Sequence, residues 1–417
     1  MTPESSLATS TVSSPEPELV LISQENRRDR DGDQQQAGGW GPHLRSVLSG
    51  PGGDLWFVHD LGNDVLRNEG LRYLRRVDGS WIQSSSIDFD LHVGKIGGKI
   101  QQNLASVMIG TVIHSFGVDV ERRRLIECTF NTLSAESVRC EDVEVSGRPL
   151  ELNERPNYVG AALLPNGYPV VWWTTTGTVS KSGTVTSAGK LYHLWRFGGG
   201  WNGPVETELT VGGRPYLNFG YARPSVGGRH RLELLGELEL PKSVKRAVHA
   251  TINIDAGYRP AELTVFDAAR SQLAEDVWVD GEGGLHAITS TTTLANAGFY
   301  YYKKPGGRWR FIQSLPGLTV VRFQEDSRSA MLHLLADEAG RVVLRSGSVK
   351  DHAGPLDLDS FVMTPIDKWP PKTDLSQPNA IYNMSRAYQT RDALGLHFGL
   401  IGRSPGSDNR IVYLGQD

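Results

Sequence analysis

The chain has 417 residues, 39% hydrophobic and 22% charged, long enough for two or three ordinary domains or for one large all-β body. Lys and Arg number 43 against 47 Asp and Glu, a formal charge of -4, which excludes a sequence-wide basic field for nucleic acid or an anionic membrane. No apolar run approaches the roughly 18 to 20 residues of a membrane-spanning helix, and two cysteines, Cys128 and Cys140, exclude a disulfide framework.

Residues 1–17 are rich in Ser, Thr, Pro and Glu and lack the basic start and apolar stretch of a secretory leader, so they are expected to be disordered and the chain cytoplasmic by default. Export of a processed precursor stays open. Residues 18–24, ELVLISQ, predict a lone strand, and residues 25–39 a polar link. Everything from 18 to 417 is expected to be a single domain. With 47 Gly, 22 Pro and few apolar runs at helical period, short strands between turns explain the sequence best.

The strands repeat. Ile113-His114, Leu285-His286, Leu332-His333 and Leu396-His397 each open a strand shortly after a turn-like segment, and Leu55-Trp56 stands in the same place. Downstream comes an aromatic strand with a Gly-containing turn and a tryptophan, as in LRYLRRVDGSW, LYHLWRFGGGW and GFYYYKKPGGRW. In the clearest unit AEDVWVDGEGG, LHAITSTTT, GFYYYKKPGGRW and RFIQSLPG form four successive antiparallel strands, the blade of a β-propeller. First strands fall near HLRSVLSG, QNLASVMIG, NYVGAALLP, YLNFGYARP, EDVWVDGEG, TVVRFQED and AIYNMSRAYQ. The expected fold is therefore an all-β, seven-bladed β-propeller of four-stranded antiparallel blades. The last unit ends at NRIVYLGQD with no fourth strand, so the N-terminal strand is expected to close the last blade. Cys128 and Cys140, twelve residues apart, read as free thiols in or near a strand pair, with one bridge between them left open.

A residue recurring at one site of several repeats serves the repeat, so His114, His286, His333 and His397 read as packing residues bonded to neighbouring backbone, and Trp56 in the same place argues against metal ligation. Trp81, Trp201 and Trp309 are expected to end third strands and pack across blades. No HExxH, paired CxxC, GxSxG or Walker loop occurs, so neither a metal nor a cofactor is expected.

The residues leading the inner strands converge on one mouth. His43, Arg45, Asn103, Arg155, Asn157, Tyr158, Tyr216, Asn218, Asp276, Arg322, Tyr382, Asn383 and Arg386 supply aromatic faces, amides and arginine forks there, a mixture that suits a carbohydrate. The turn leading into Leu-His and the aromatic strand with Gly-x-Trp resemble the BNR or Asp-box-like propeller superfamily of sialidases, ulvan-type polysaccharide lyases and sugar-binding propellers. The resemblance covers nearly the whole chain after Gly39. It implies carbohydrate recognition and, by likeness to the propeller lyases, β-elimination of acidic glycans. His43, Arg155, Tyr158 and Tyr216 are then the catalytic candidates: an arginine neutralises the uronate carboxylate and a tyrosine or histidine moves the proton. Asp78-Gly79-Ser80-Trp81 is a shortened Asp-box, which speaks against a sialidase. A hydrolase using Glu275 and Asp276 is less consistent, since adjacent strand residues point oppositely. The alternative is a non-catalytic propeller that binds a protein partner as a scaffold in a larger assembly.

Overall fold

Short runs of Val, Leu and Thr between glycine-bearing turns favour narrow antiparallel sheets, and turns of two residues fix the register of several hairpins. Between Val77 and Ser80 the turn residues Asp78 and Gly79 both take positive φ, 48° and 77°, the mirror-image turn that matches strand twist. The computed structural model describes residues 16–21, 44–60, 70–88, 104–119, 121–134, 137–154, 156–182, 184–209, 212–226, 229–240, 244–257, 259–267, 269–291, 297–326, 329–338, 341–350, 352–366, 387–389, 396–403 and 409–415. The segments read as disordered (1–17) and as a polar link (25–39) lie almost wholly outside these residues.

The first sheet contains β2 (Leu44–Ser49), β3 (Leu55–Asp60), β4 (Gly70–Val77) and β5 (Ser80–Asp88), following β1 (Glu16–Leu21) in the chain. The second contains β6 (Ala105–Ile109), β7 (Val112–Asp119), β8 (Arg124–Asn131) and β9 (Arg139–Asp142). A hairpin, β10 (Glu144–Val145) and β11 (Arg148–Pro149), then leads to the third sheet of β12 (Pro156–Leu163), β13 (Pro169–Thr175), β16 (Lys190–Phe197) and β17 (Gly200–Glu208). A separate ribbon, β14 (Thr178–Val179) with β15 (Val185–Ser187), is inserted between β13 and β16. The fourth sheet is β18 (Arg214–Val226), β19 (Arg229–Leu240), β20 (Val244–Asn253) and β21 (Glu262–Val265). The fifth is β22 (Leu273–Val279), β23 (Leu285–Ser290), β24 (Ala297–Lys303) and β25 (Arg310–Pro316). The sixth is β26 (Leu318–Asp326), β27 (Met331–Glu338), β28 (Arg341–Ser348) and β29 (Val362–Pro365). In the last sheet β30 (Ala387–Gln389), β31 (His397–Arg403) and β32 (Asn409–Gly415) are joined by β1, which runs antiparallel to β32 from Glu16↔Gly415 to Leu21↔Arg410.

The innermost strands touch in succession: β2 meets β6, β6 meets β12, β12 meets β18, β18 meets β22, β22 meets β26, β26 meets β30, and β30 returns to β2. The fold is thus an all-β propeller with four-stranded antiparallel blades. One expectation needs correction: among the described residues six sheets have four strands, not seven, and the third has six. It gains the β10–β11 hairpin through a parallel contact of Val145 with Trp201. Strands of two residues carry no readable alternation, which is why the sequence hides them.

Stacking buries both faces of the middle strands, so β7, β13 and β23 are almost continuously buried, whereas outer strands such as β17 alternate between buried and exposed. The apolar core is accordingly a series of layers between successive sheets. Trp56, Leu71 and Tyr73 meet Ile113, Ile126 and Phe130 between the first two, for example, and Phe116 and Val118 meet Val171 and Trp201 between the next two. Cys128 and Cys140 correct a second expectation: they are not free thiols but a disulfide. They sit directly opposite each other on β8 and β9 and both face the layer toward the first sheet. Trp81 and Trp201 correct a third, since they open β5 and β17 rather than end third strands, while Trp309 lies just ahead of β25. Their rings pack across sheets, Trp81 on Tyr413, Trp201 on Phe116 and Trp309 on Phe266.

Candidate functional site

The repeated histidines show where the molecule departs from its own pattern. His114, His286, His333 and His397 lie on second strands and are all buried. In each of them Nδ1 bonds a side chain of the adjacent third strand, where the repeat led us to expect neighbouring backbone. The pairing puts Tyr302 opposite His286, Gly415 opposite His397, Thr129 opposite His114 and Arg75 opposite Trp56. Two positions earlier on each third strand stand Tyr300, Tyr413, Glu127 and Tyr73. Tyr300 and Tyr413 bond through their hydroxyls to Nδ1 of His286 and His397, at 2.8 and 2.6 Å. His333 instead bonds Ser346, directly opposite, at 2.7 Å.

In the fifth sheet the chain of donors is complete. The Leu356 amide of the sixth sheet donates to the Tyr300 oxygen, the Tyr300 hydroxyl to His286 Nδ1, and His286 Nε2 to Asp280 Oδ2 at 3.2 Å. Burial holds the imidazole of His286 below its ordinary pKa, against the pull of Asp280, so it is neutral and has one donor and one acceptor for these two partners. This is a latch between sheets, and its groups are used up within it.

Glu127 is a second departure, and a charged one. It occupies the latch tyrosine's place, and its Oε1 lies 2.5 Å from His114 Nδ1. The Arg196 guanidinium, from the third sheet, reaches the two Glu127 carboxylate oxygens at 3.4 and 3.5 Å. Arg196 has its own counterpart: LYHLWRFGGGW aligns residue for residue with LRYLRRVDGSW, which sets Arg196 on Arg76. Arg76 lies 4.8 Å over the ring of Tyr413, across the interface between the first and last sheets. The same arginine thus covers a phenol at one interface and faces a carboxylate at the other.

Glu127 and Arg196 open into a cleft of about 1030 Å³ between the second and third sheets. His114, Trp201, Phe197 and Asn202 also line it, and Gly198 and Gly199, with φ of 61° and 87°, turn the chain at its lip without side chains in the way. The Arg196 guanidinium sits 5.1 Å over the Trp201 ring, and Phe197 is 64% exposed. On the far wall Arg122 forks onto Asp142 at 2.7 and 3.2 Å and also binds Asp119 at 2.7 Å. A carboxylate acceptor, guanidinium and amide donors and an aromatic surface within one cleft match what a hydroxylated ring presents. Among the described residues no three His, Cys, Asp or Glu side chains come together as a metal-ligating group.

The mouth residues singled out from the sequence are only partly described. His43, Asn103, Arg155, Tyr382, Asn383 and Arg386 lie outside the described residues, and Arg45, Asn157, Asn218 and Arg322 are described only as backbone, on β2, β12, β18 and β26. Tyr158 is half-buried on β12. Tyr216, on the neighbouring β18, donates its hydroxyl to Glu239 Oε2 at 3.2 Å. Burial raises its pKa, Arg214 opposes the rise and Glu239 adds to it. Asp276 is fully buried and accepts the Phe323 amide of the sixth sheet at 2.8 Å and the Val277 amide at 2.9 Å, so it ties two inner strands together. Glu275, beside it, accepts the Ser290 hydroxyl. The residues that build the cleft escaped sequence reading because Glu127 sits in an ordinary alternating strand. Arg196 belonged to a signature that reads as architecture; the usable signal was the single carboxylate among the tyrosines.

No family model matches the chain, and no curated protein matches it. Solved structures do. A protein of unknown function from Dyadobacter fermentans is 11% identical, with 95% of this chain and 97% of that one covered and a TM-score of 0.48. The GH93 α-L-arabinofuranosidase of Fusarium graminearum, solved with arabinobiose, is 9% identical over 81% of this chain and 98% of its own, with a TM-score of 0.46. The SapL1 lectin, solved with α-methyl fucoside, is 10% identical over 78% of this chain and 95% of its own, with a TM-score of 0.41. At such distances the activities of these proteins do not carry over to this chain.

Proposed function

We propose that the protein is a carbohydrate-binding propeller, and that its receptor is the cleft between the second and third sheets. The reading is carried by Glu127, which stands where the fifth and last sheets place a latch tyrosine and is held between His114 and Arg196 in a cleft that also exposes Phe197. The ring of sheets is its rigid frame, and in this reading β1 supplies the outer strand that closes it.

Binding without turnover fits the side chains better than β-elimination does. A tyrosine base must lose its proton, and Tyr216 is raised by burial and already donates to a carboxylate. Residence of His43 and Arg155 at the mouth remains part of the lyase proposal, which predicts an ultraviolet-absorbing unsaturated product from acidic polysaccharides. The binding proposal predicts no such product, and retention of the protein on a glycan array instead. Arg196→Ala and Glu127→Gln each remove a charge-assisted contact and are expected to weaken retention roughly 10- to 100-fold with an unchanged circular dichroism spectrum. Full retention by both variants, or no retention of the parent protein on any glycan, overturns the assignment; a stable protein partner recovered in that second case returns the scaffold reading.

A further inference from the structure

The charges and aromatic rings around the cleft say which glycans it admits, on the footing that it is a glycan receptor. Four carboxylates line it, Glu127, Glu141, Asp142 and Glu144, against two guanidiniums, Arg122 and Arg196. Both guanidiniums are committed: Arg122 to Asp119 and Asp142, and Arg196 to Glu127. Asp142 is answered a second time by Arg124 at 2.8 Å. Glu141 and Glu144 are exposed and make no ion pair among the described residues. The cleft therefore presents uncompensated negative charge, and an arginine fork free to take a carboxylate or sulfate is not on offer.

The second observation concerns length. Phe197, at the lip, packs edge-on against Tyr168 from the β12–β13 turn, with ring centroids 5.7 Å apart and planes at 61°. Both rings are exposed, by 64% and 36%, although a pair of large aromatics at a turn gains by burial. Phe197 lines the cleft and Tyr168 extends the exposed aromatic surface beyond it, and Asn166, whose side chain accepts the Tyr168 amide at 3.1 Å, fixes the turn that carries Tyr168.

We infer that the cleft takes an uncharged oligosaccharide of at least two units, one lodged beside Glu127 and Arg196 and the next stacked on the Phe197–Tyr168 shelf, and that it rejects uronic and sulfated glycans. A sugar ring laid on an aromatic face needs no charge, and hydroxyls can share Glu127 and Arg196 without breaking their pairing. A ligand anion would have to displace Glu127 from Arg196 and approach Glu141 and Glu144 as well.

The test is an array of neutral oligosaccharides from monomer to hexamer beside oligogalacturonates and sulfated oligosaccharides of equal length, followed by calorimetry with the neutral series that binds best. The parent protein is expected to bind neutral dimers and longer chains above their monomer. Phe197→Ala is expected to lower affinity for the dimer by about tenfold and for the monomer far less. Glu141→Gln with Glu144→Gln is expected to admit acidic glycans, most visibly at low salt. Retention of acidic glycans as strongly as neutral ones, or unchanged dimer affinity in Phe197→Ala, overturns this inference alone, provided Arg196→Ala still weakens binding as expected above. No retention of any glycan removes the cleft as a receptor and this inference with it.

Discussion

His193 is the residue at which the repeat fits its own interior least well. It aligns with Tyr73, is fully buried on β16 and stacks beside Trp195, yet neither ring nitrogen has a hydrogen-bond partner among the described residues. In the first sheet the corresponding Tyr73, opposite Val58, reaches Ser115 of the next sheet; an imidazole is too short for such a reach. Burial alone pulls the His193 pKa down to about 4. An unfolded chain binds this proton near pH 6.5 and the folded one only near 4, so the ring's penalty is absent above about 6.5 and grows as pH falls toward 4. His193→Phe is therefore expected to cut the stability lost between pH 7.5 and 4.5 by roughly 2–3 kcal/mol, measured by urea unfolding at both values. An equal loss in parent and variant would show that the ring is hydrated and paired in solution.

Among the elements, the inner strands are shaped by what crosses them. Trp172 on β13 lies buried over β12 and β18 and donates Nε1–H to the Leu217 carbonyl at 3.0 Å. It fits because Gly160 and Gly220 stand beneath it: a Cβ would meet the indole at 2.2 Å from the first and 2.8 Å from the second. Gly160→Ala is expected to destabilise the fold by roughly 1–3 kcal/mol through overpacking, read from the midpoint of denaturant unfolding. NYVGAALLP was legible as an inner strand from its apolar run, and LYHLWRFGGGW as a third strand from its aromatic signature. The need for glycine at 160 was not, because the ring that demands it arrives from a neighbouring strand and a different turn of the chain. The disulfide was hidden for a related reason. Spacing of twelve residues says nothing of whether two side chains point the same way, and only the β8–β9 register settles that.

At the scale of the whole molecule the repeat was readable and the candidate site was not. Leu-His and the glycine-tryptophan turn recur, and recurrence is visible in a sequence; Glu127 mattered only by failing to recur, which shows once the registers are known. The mouth, where a reading from strand starts placed every candidate, yields a buried Asp276 clamping two sheets and a Tyr216 already bonded to Glu239. The N-terminal strand is the other large-scale feature. β1 pairs along its full length with β32, so deletion of residues 1–21 leaves that edge without a partner. The truncated protein is expected to melt at a lower temperature and to associate with rising concentration in light scattering; an unchanged monomeric profile would show that β32 is protected in some other way.

Carboxylate in place of phenol at a single latch has a consequence for how such a molecule acquires a trade. Each sector of the wheel is held by several redundant fastenings, so one of them can be given away without the rim coming apart. On the proposed reading, an acid in the ring's place, facing an arginine, turns spare joinery into a receptor. The sectors that keep Tyr300 and Tyr413 are then the unspent reserve, places where a second pocket could be written into the same frame.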